Sequence, residues 1–241
     1  MTYDEFASEL CIVGKALSVT RLSNVQAYCP EGEGCAFQLA LHHALDGETV
    51  RLSAETVRCF GGKGGFGFVD GLMDVPGGYG HFVSFGAGEG APPGMRLKQS
   101  PALAEAGALV SPQDVMGGHT VIEIKPYADN ETPDLVTILA SPDQLSALNL
   151  LFHFRKVESD HTCFPTGSGC SSVFRIPFAE LRSENPRAVI GNADISTRPA
   201  FGADTLFFTV PGAAFKQMLV DAGESFLIAP AWKKLRGRME G

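Results

Sequence analysis

The chain has 241 residues, 44% hydrophobic and 19% charged, the balance of a globular protein long enough to bury a large core. Nineteen basic against 27 acidic residues give a net charge of −8, which argues against a nucleic-acid-binding surface. No apolar run reaches the length of a membrane span, and the acidic start MTYDEFASEL lacks the regions of a secretion signal. These features point to a cytoplasmic protein, where disulfides are rare. Its six cysteines are then free, metal-bound or redox-active.

In chain order, residues 3–15 show helical periodicity, with Phe6, Leu10 and Val13 near one face and Cys11 on the apolar stripe. Residues 16–23 read as a strand. After a loop over 24–34, Gly34-Cys35 opens a helix of about 36–46, stopped by Asp46-Gly47. Residues 48–54 alternate as a strand. Cys59 then leads into Phe60-Gly61-Gly62-Lys63-Gly64-Gly65-Phe66-Gly67-Phe68. This run lacks the Walker spacing and does not open a convincing dinucleotide-binding helix. It reads as a flexible loop packing over the cysteines, with Phe60, Phe66 and Phe68 as lid or core and Lys63 solvated. Residues 81–85 suggest a strand, 101–108 a helix and 119–124 a strand. The polar stretch 125–133 is the best boundary between two halves, 1–125 and 126–241, of one compact unit.

The second half restates the first. LVTILAS (135–141) matches LSVTRLS (17–23), and a helix at about 143–154 is capped by Ser141 with Pro142 at its first position. Gly169-Cys170 opens a segment ending near Leu181. RAVIGNADIS (187–196) stands where ETVRLSAETV stood. TLFFTV (205–210) is a strand, and Pro211-Gly212 starts a helix to about Asp221. Lys233, Lys234, Arg236 and Arg238 read as a solvated tail. The pattern predicts an α/β or α+β fold, a mixed sheet with helices in two similar halves related by a pseudo-two-fold.

The layout resembles the uncharacterised family called domain of unknown function 169 over most of the chain. The resemblance rests on Gly34-Cys35-Ala36, Asp46-Gly47, Cys59-Phe60-Gly61-Gly62, Pro133-Asp134-Leu135-Val136, Ser141-Pro142-Asp143-Gln144, Gly169-Cys170 and Pro211-Gly212, in that order. It supports the fold reading and the choice of Cys35, Cys59 and Cys170, and it supplies no reaction. Where such sequences are expected to carry Gly-Asp followed by Arg, this chain has Gly191-Asn192-Ala193-Asp194 and Arg198.

Cys35 and Cys170 each stand at an expected helix start, where unpaired N–H groups and the helix dipole favour a thiolate. Gly34, Gly61, Gly62 and Gly169 would let backbone approach a bound group. Cys35, Cys59 and Cys170, with Cys29 or Cys163 as a fourth ligand, would hold a four-iron cluster, with zinc as second choice. The spacing lacks the C-x₂-C pair usual in such sites. The leading expectation is a cysteine-ligated metal protein for electron transfer, cofactor handling or redox sensing, with a redox partner protein. A second reading is a small-molecule or tetrapyrrole binding module in which the cysteines are incidental. A third is an enzyme with a nucleophilic cysteine, Cys163 lying two residues from His161. Of His42 and His43, in the second helix, one is expected to face solvent.

Overall fold

The computed structural model describes residues 1–89 and 91–240. Helix α1 (Tyr3–Glu9) is shorter than its periodicity implies. Thr2 caps it in a reciprocal box with Glu5, but Cys11 takes φ +52° and ends the run. Val13 is consequently 96% exposed rather than on an apolar face. Strand β1 (Leu17–Leu22), helix α2 (Ala36–Leu45) and strand β2 (Val50–Ser53) follow as the pattern predicts. The glycine run is not a loop: it forms helix α3 (Phe60–Phe66), closed by Gly67 in the left-handed region at φ +90°. Helix α4 (Tyr79–Val83) replaces the strand expected over 81–85. Helix α5 (Pro101–Leu109) and strand β3 (Val121–Pro126) complete the first half.

Strand β4 (Leu135–Ala140) runs into helix α6 (Pro142–Phe152), then a two-residue strand β5 (Thr162–Cys163). A π-helical turn, Ser171–Arg175, continues into helix α7 (Ile176–Glu180). Strands β6 (Ala188–Gly191) and β7 (Leu206–Pro211) precede helices α8 (Gly212–Asp221) and α9 (Pro230–Met239). The last is no solvated tail. Trp232 is 3% exposed and donates its indole N–H to Glu9 at 2.8 Å, while Arg236 pairs with Glu9 and Arg238 with Asp143.

The seven strands of the described residues form one mixed sheet in the order β2-β3-β1-β4-β7-β6-β5. Neighbours are antiparallel except β5 and β6. Outward from the β1–β4 seam the first half presents its first, third and second strands and the second half its first, fourth, third and second, so the halves do not match strand for strand and the expected pseudo-two-fold is not confirmed. The helices differ too, since β4 runs directly into α6 whereas β1 is followed by a loop and then α2. The 125–133 connection joins β3 to β4 within this one sheet.

Strand alternation sorts the core into two layers. Val136, Ile138 and Ala140 of β4 and Phe208 and Val210 of β7 face α1, α6, α8 and α9. Leu17 and Val19 of β1, Ile122 and Ile124 of β3 and Phe207 face α2, α3 and the π-helical turn. Phe37 of α2 is central to the second layer, its ring in edge or tilted contact with Phe174, Phe201 and Phe207. This second layer brings the two cysteine loops together.

Candidate functional site

Three of the expected cysteines begin helical segments: Cys35 caps α2, Cys59 caps α3 and Cys170 precedes the π-helical turn. The Cys35 backbone N–H donates to Gln38 Oε1 at 2.9 Å. Helix α3 forms although four of its seven residues are glycine, each costing up to ~1 kcal/mol against alanine. Close packing compensates. A Cβ at Gly62 would stand 2.5 Å from Cys59 Sγ, and one at Gly65 only 2.1 Å from Cys170 Sγ. The Cys170 thiol donates to the Gly61 carbonyl at 3.6 Å and lies 3.3 Å from Ser168 Oγ. Arg175, 4% exposed, ties the same helix down by donating to the carbonyls of Gly64, Val69 and Pro112 and to Asp70.

The glycines singled out by sequence mainly make room for the protein's own side chains. Gly34 sits at φ +123° with its Cβ position 3.0 Å from Gln38 Oε1. A Cβ at Gly169 would meet Thr197, Phe37 and Asn192 at 2.7–3.2 Å. Gly61 alone of the four has nothing within 4 Å of its Cβ position.

Cys29, Cys35 and Cys170 each lie near enough to Cys59 for its charge to raise their pKa, and none of these three is expected to ionise readily. Burial pushes Cys29 and Cys35 up, and the fully enclosed Cys170 thiol is pushed up to about 12. Cys163 stands apart on the edge strand β5. Burial raises it too, and its charged neighbours are Arg187 and Glu180 rather than other thiols.

The expected metal centre is therefore corrected. Among the described residues no group of three or more His, Cys, Asp or Glu side chains is placed to hold a metal ion. The thiols are not placed as ligands, and at Cys35 and Cys170 desolvation outweighs the helix N-termini expected to favour a thiolate. The cysteine-ligated iron–sulfur or zinc role assigned to Cys29, Cys35, Cys59, Cys163 and Cys170 does not stand. A nucleophilic Cys163 gains no support from His161, whose Nδ1 is buried without a hydrogen-bond partner and 3.9 Å from Asp160.

Behind Cys170 lies a polar network that the sequence reading touched only at its edge. Asn192 follows β6 with φ +68° and is wholly buried. Its backbone N–H donates to Ser172 Oγ at 2.9 Å, and its Oδ1 accepts from Thr197 Oγ1 at 2.6 Å. Asp194, 8% exposed, accepts from the Gly169 N–H at 3.1 Å and from the Ser196 N–H and hydroxyl. Asn192 Nδ2 has no hydrogen-bond partner among the described residues. The cysteine loop 163–170 and the turn 192–198 are thus one connected unit.

On the outer side of that unit is an open groove of about 440 Å³. Pro142 and Leu145 of α6, Phe164, and Ala193, Ile195, Arg198, Asp204 and Leu206 line it. The Arg198 guanidinium donates to the Thr205 and Ala203 carbonyls, which fixes its position at the rim. A second groove of about 490 Å³, lined by His161, Glu180, Asn185 and Arg187, is polar, and its Glu180–Arg187 pair is closed on itself at 2.6 Å.

A family model described as "Uncharacterised ArCR", the domain of unknown function 169, matches residues 17–221. The chain belongs to this family. No curated protein and no solved structure gives a significant match. For a member of the domain-of-unknown-function-169 family, the site's informative residues are then those of its own geometry. Ser172, Thr197 and Arg175 carried no sequence signal; Asn192, Asp194 and Arg198 carried a weak one, through the Gly-Asp and Arg expected of the family.

Proposed function

We propose that the protein is a small-molecule-binding module whose ligand occupies the groove between α6, the 163–170 loop and the 192–206 segment, the cysteines serving as packing. One observation carries this reading: Phe164 and Ile195 remain 55% and 66% exposed across from each other's loops, on the walls of a groove of about 440 Å³. Sites for small ligands span roughly 300–1,000 Å³ and combine apolar walls with a few fixed polar groups. Phe164, Ile195, Leu145 and Leu206 supply the walls; Arg198 and Asp204 supply the polar rim with no net charge. Covering such apolar surface gains about 25 cal/mol per Å².

A thermal-shift screen of small aromatic and branched-chain amides, acids and amines tests this. A compound at one hundred times its Kd should stabilise the protein by about 2.7 kcal/mol. For a chain of this size that is a rise in Tm of roughly 5–10 °C. Ile195→Trp, which fills the groove, should remove the shift while leaving the unliganded Tm within about 2 °C of wild type. A panel without a single stabilising compound, or hits that Ile195→Trp leaves untouched, would refute the groove as the site.

A further inference from the structure

Arg198 and Asp204 are the two ionisable residues on the wall of the apolar groove, and neither enters an ion pair among the described residues. The chain holds both in place without neutralising either. The Arg198 guanidinium donates to the Ala203 and Thr205 carbonyls, which belong to the residues on either side of Asp204. Those acceptors are uncharged, so the positive charge stays uncompensated, and a guanidinium has N–H donors to spare after two such bonds. Asp204 itself stands in a hydrogen-bonded turn: the Thr205 N–H donates to the Gly202 carbonyl at 3.1 Å, and the Thr205 hydroxyl donates to the same oxygen at 2.8 Å. Its side chain is exposed, and its carboxylate accepts from no donor among the described residues. The neighbouring acids are taken up elsewhere. Asp194, 8% exposed, accepts from the Gly169 N–H and from Ser196, and Asp143 beside Pro142 pairs with Arg238.

We propose that the groove takes a free α-amino acid with an aromatic or branched apolar side chain, its carboxylate on Arg198 and its ammonium on Asp204. The inference rests on the groove being the binding site and names the class of its ligand. Charge decides that class. An acid with an apolar body would pair with Arg198 but bring a like charge towards Asp204, and an amine would do the reverse. An uncharged ligand would cover both charges and give them no partner in exchange for water. A head that carries both signs satisfies both residues. The guanidinium fork matches a carboxylate in geometry, and a compact ammonium suits the single exposed carboxylate. Leu145, Phe164, Ile195 and Leu206 then take the apolar side chain.

L-phenylalanine and L-leucine, each also as its C-terminal amide and as its N-acetyl derivative, separate the possibilities when titrated into wild-type protein by NMR near neutral pH. The amide keeps only the positive charge and the N-acetyl form only the negative one. At least one of the two free amino acids should move the Ile195 and Phe164 resonances. It should bind at least about tenfold tighter than either of its derivatives, the size expected of one lost charge-assisted bond. Asp204→Asn alters an exposed side chain without partners and should keep Tm within about 2 °C of wild type. It should weaken the free amino acid about tenfold and leave the N-acetyl derivative bound as well as before or better. Equal affinity for the three forms, tighter binding of a derivative, or a preference for the free amino acid that survives Asp204→Asn would overturn the inference. If no form binds while the thermal-shift screen gives compounds that Ile195→Trp excludes, this inference fails and the groove stands; if neither set binds, the groove reading fails and this inference with it.

Discussion

At the scale of single residues, the thiols decide between packing and chemistry. Below pH 9 Cys170 is protonated in the folded and unfolded chain alike. Unfolded, it ionises around its ordinary value of 9.0; folded, it holds its proton until about 12. Between those values the folded state binds more protons, so stability falls as pH rises from 9 to 12, by up to about 1.4 kcal/mol per unit from this group. Urea unfolding of Cys170→Ala across pH 8–12 should show a shallower decline; Tyr3, also pushed up to about 12 by burial, leaves part of the slope above pH 10. An unchanged slope would mean that Cys170 is not enclosed. The glycines give a matched pair. Gly65→Ala places a Cβ 2.1 Å from Cys170 Sγ and should cost about 1–3 kcal/mol, partly recovered by adding Cys170→Ala. Gly61→Ala meets nothing within 4 Å and should be neutral or stabilising by up to about 1 kcal/mol. Equal effects of the two substitutions would contradict the packing of α3.

At the scale of elements, most boundaries were legible because local pattern and burial agree. Ser141-Pro142 with Gln144 starts α6 as its capping box implies, and Gly34-Cys35 starts α2. The failures share a cause: a tertiary partner overrode local preference. The run Phe60–Phe66 is poor in helix formers, yet α3 exists because glycine alone fits against Cys59 and Cys170, and because Arg175 donates to the Gly64 carbonyl in its last turn. HFVSF alternates like a strand, yet α4 packs on α5, where a Cβ at Gly80 would meet Glu105 and the Pro101 carbonyl at 2.5–2.7 Å. The basic C-terminus was read as solvated because its anchor, Trp232 on Glu9, spans 223 residues of sequence. Arg175→Met should therefore destabilise the protein by about 1–3 kcal/mol, since it strips the buried Gly64 carbonyl, the half-buried bonds to the Val69 and Pro112 carbonyls, and Asp70 of their donor. Hydrogen exchange should show residues 60–70 losing protection before the sheet does; uniform loss across the chain would contradict a local role for Arg175.

At the scale of the whole molecule, the mixed sheet with helices was legible in the alternation of strand and helix patterns, whereas the clustered thiols that the repeated Gly-Cys starts suggested are not found among the described residues. What the spacing of cysteines in sequence does not carry is the depth of each sulfur and the direction of its bond. Those quantities turn an apparent ligand set into packing side chains. The groove was equally hidden, because it joins Leu145, Phe164, Ile195 and Leu206 from four segments, none of which is unusual alone. The central claim is that the ligand lies in this groove and not among the thiols. Calorimetric titration of the tightest compound from the thermal-shift screen into wild type, Ile195→Trp and the double variant Cys35→Ala/Cys59→Ala tests it most directly. Binding at least tenfold weaker in Ile195→Trp, with affinity within twofold of wild type in the cysteine variant, is the predicted result; binding lost with the cysteines and retained in Ile195→Trp would contradict the account.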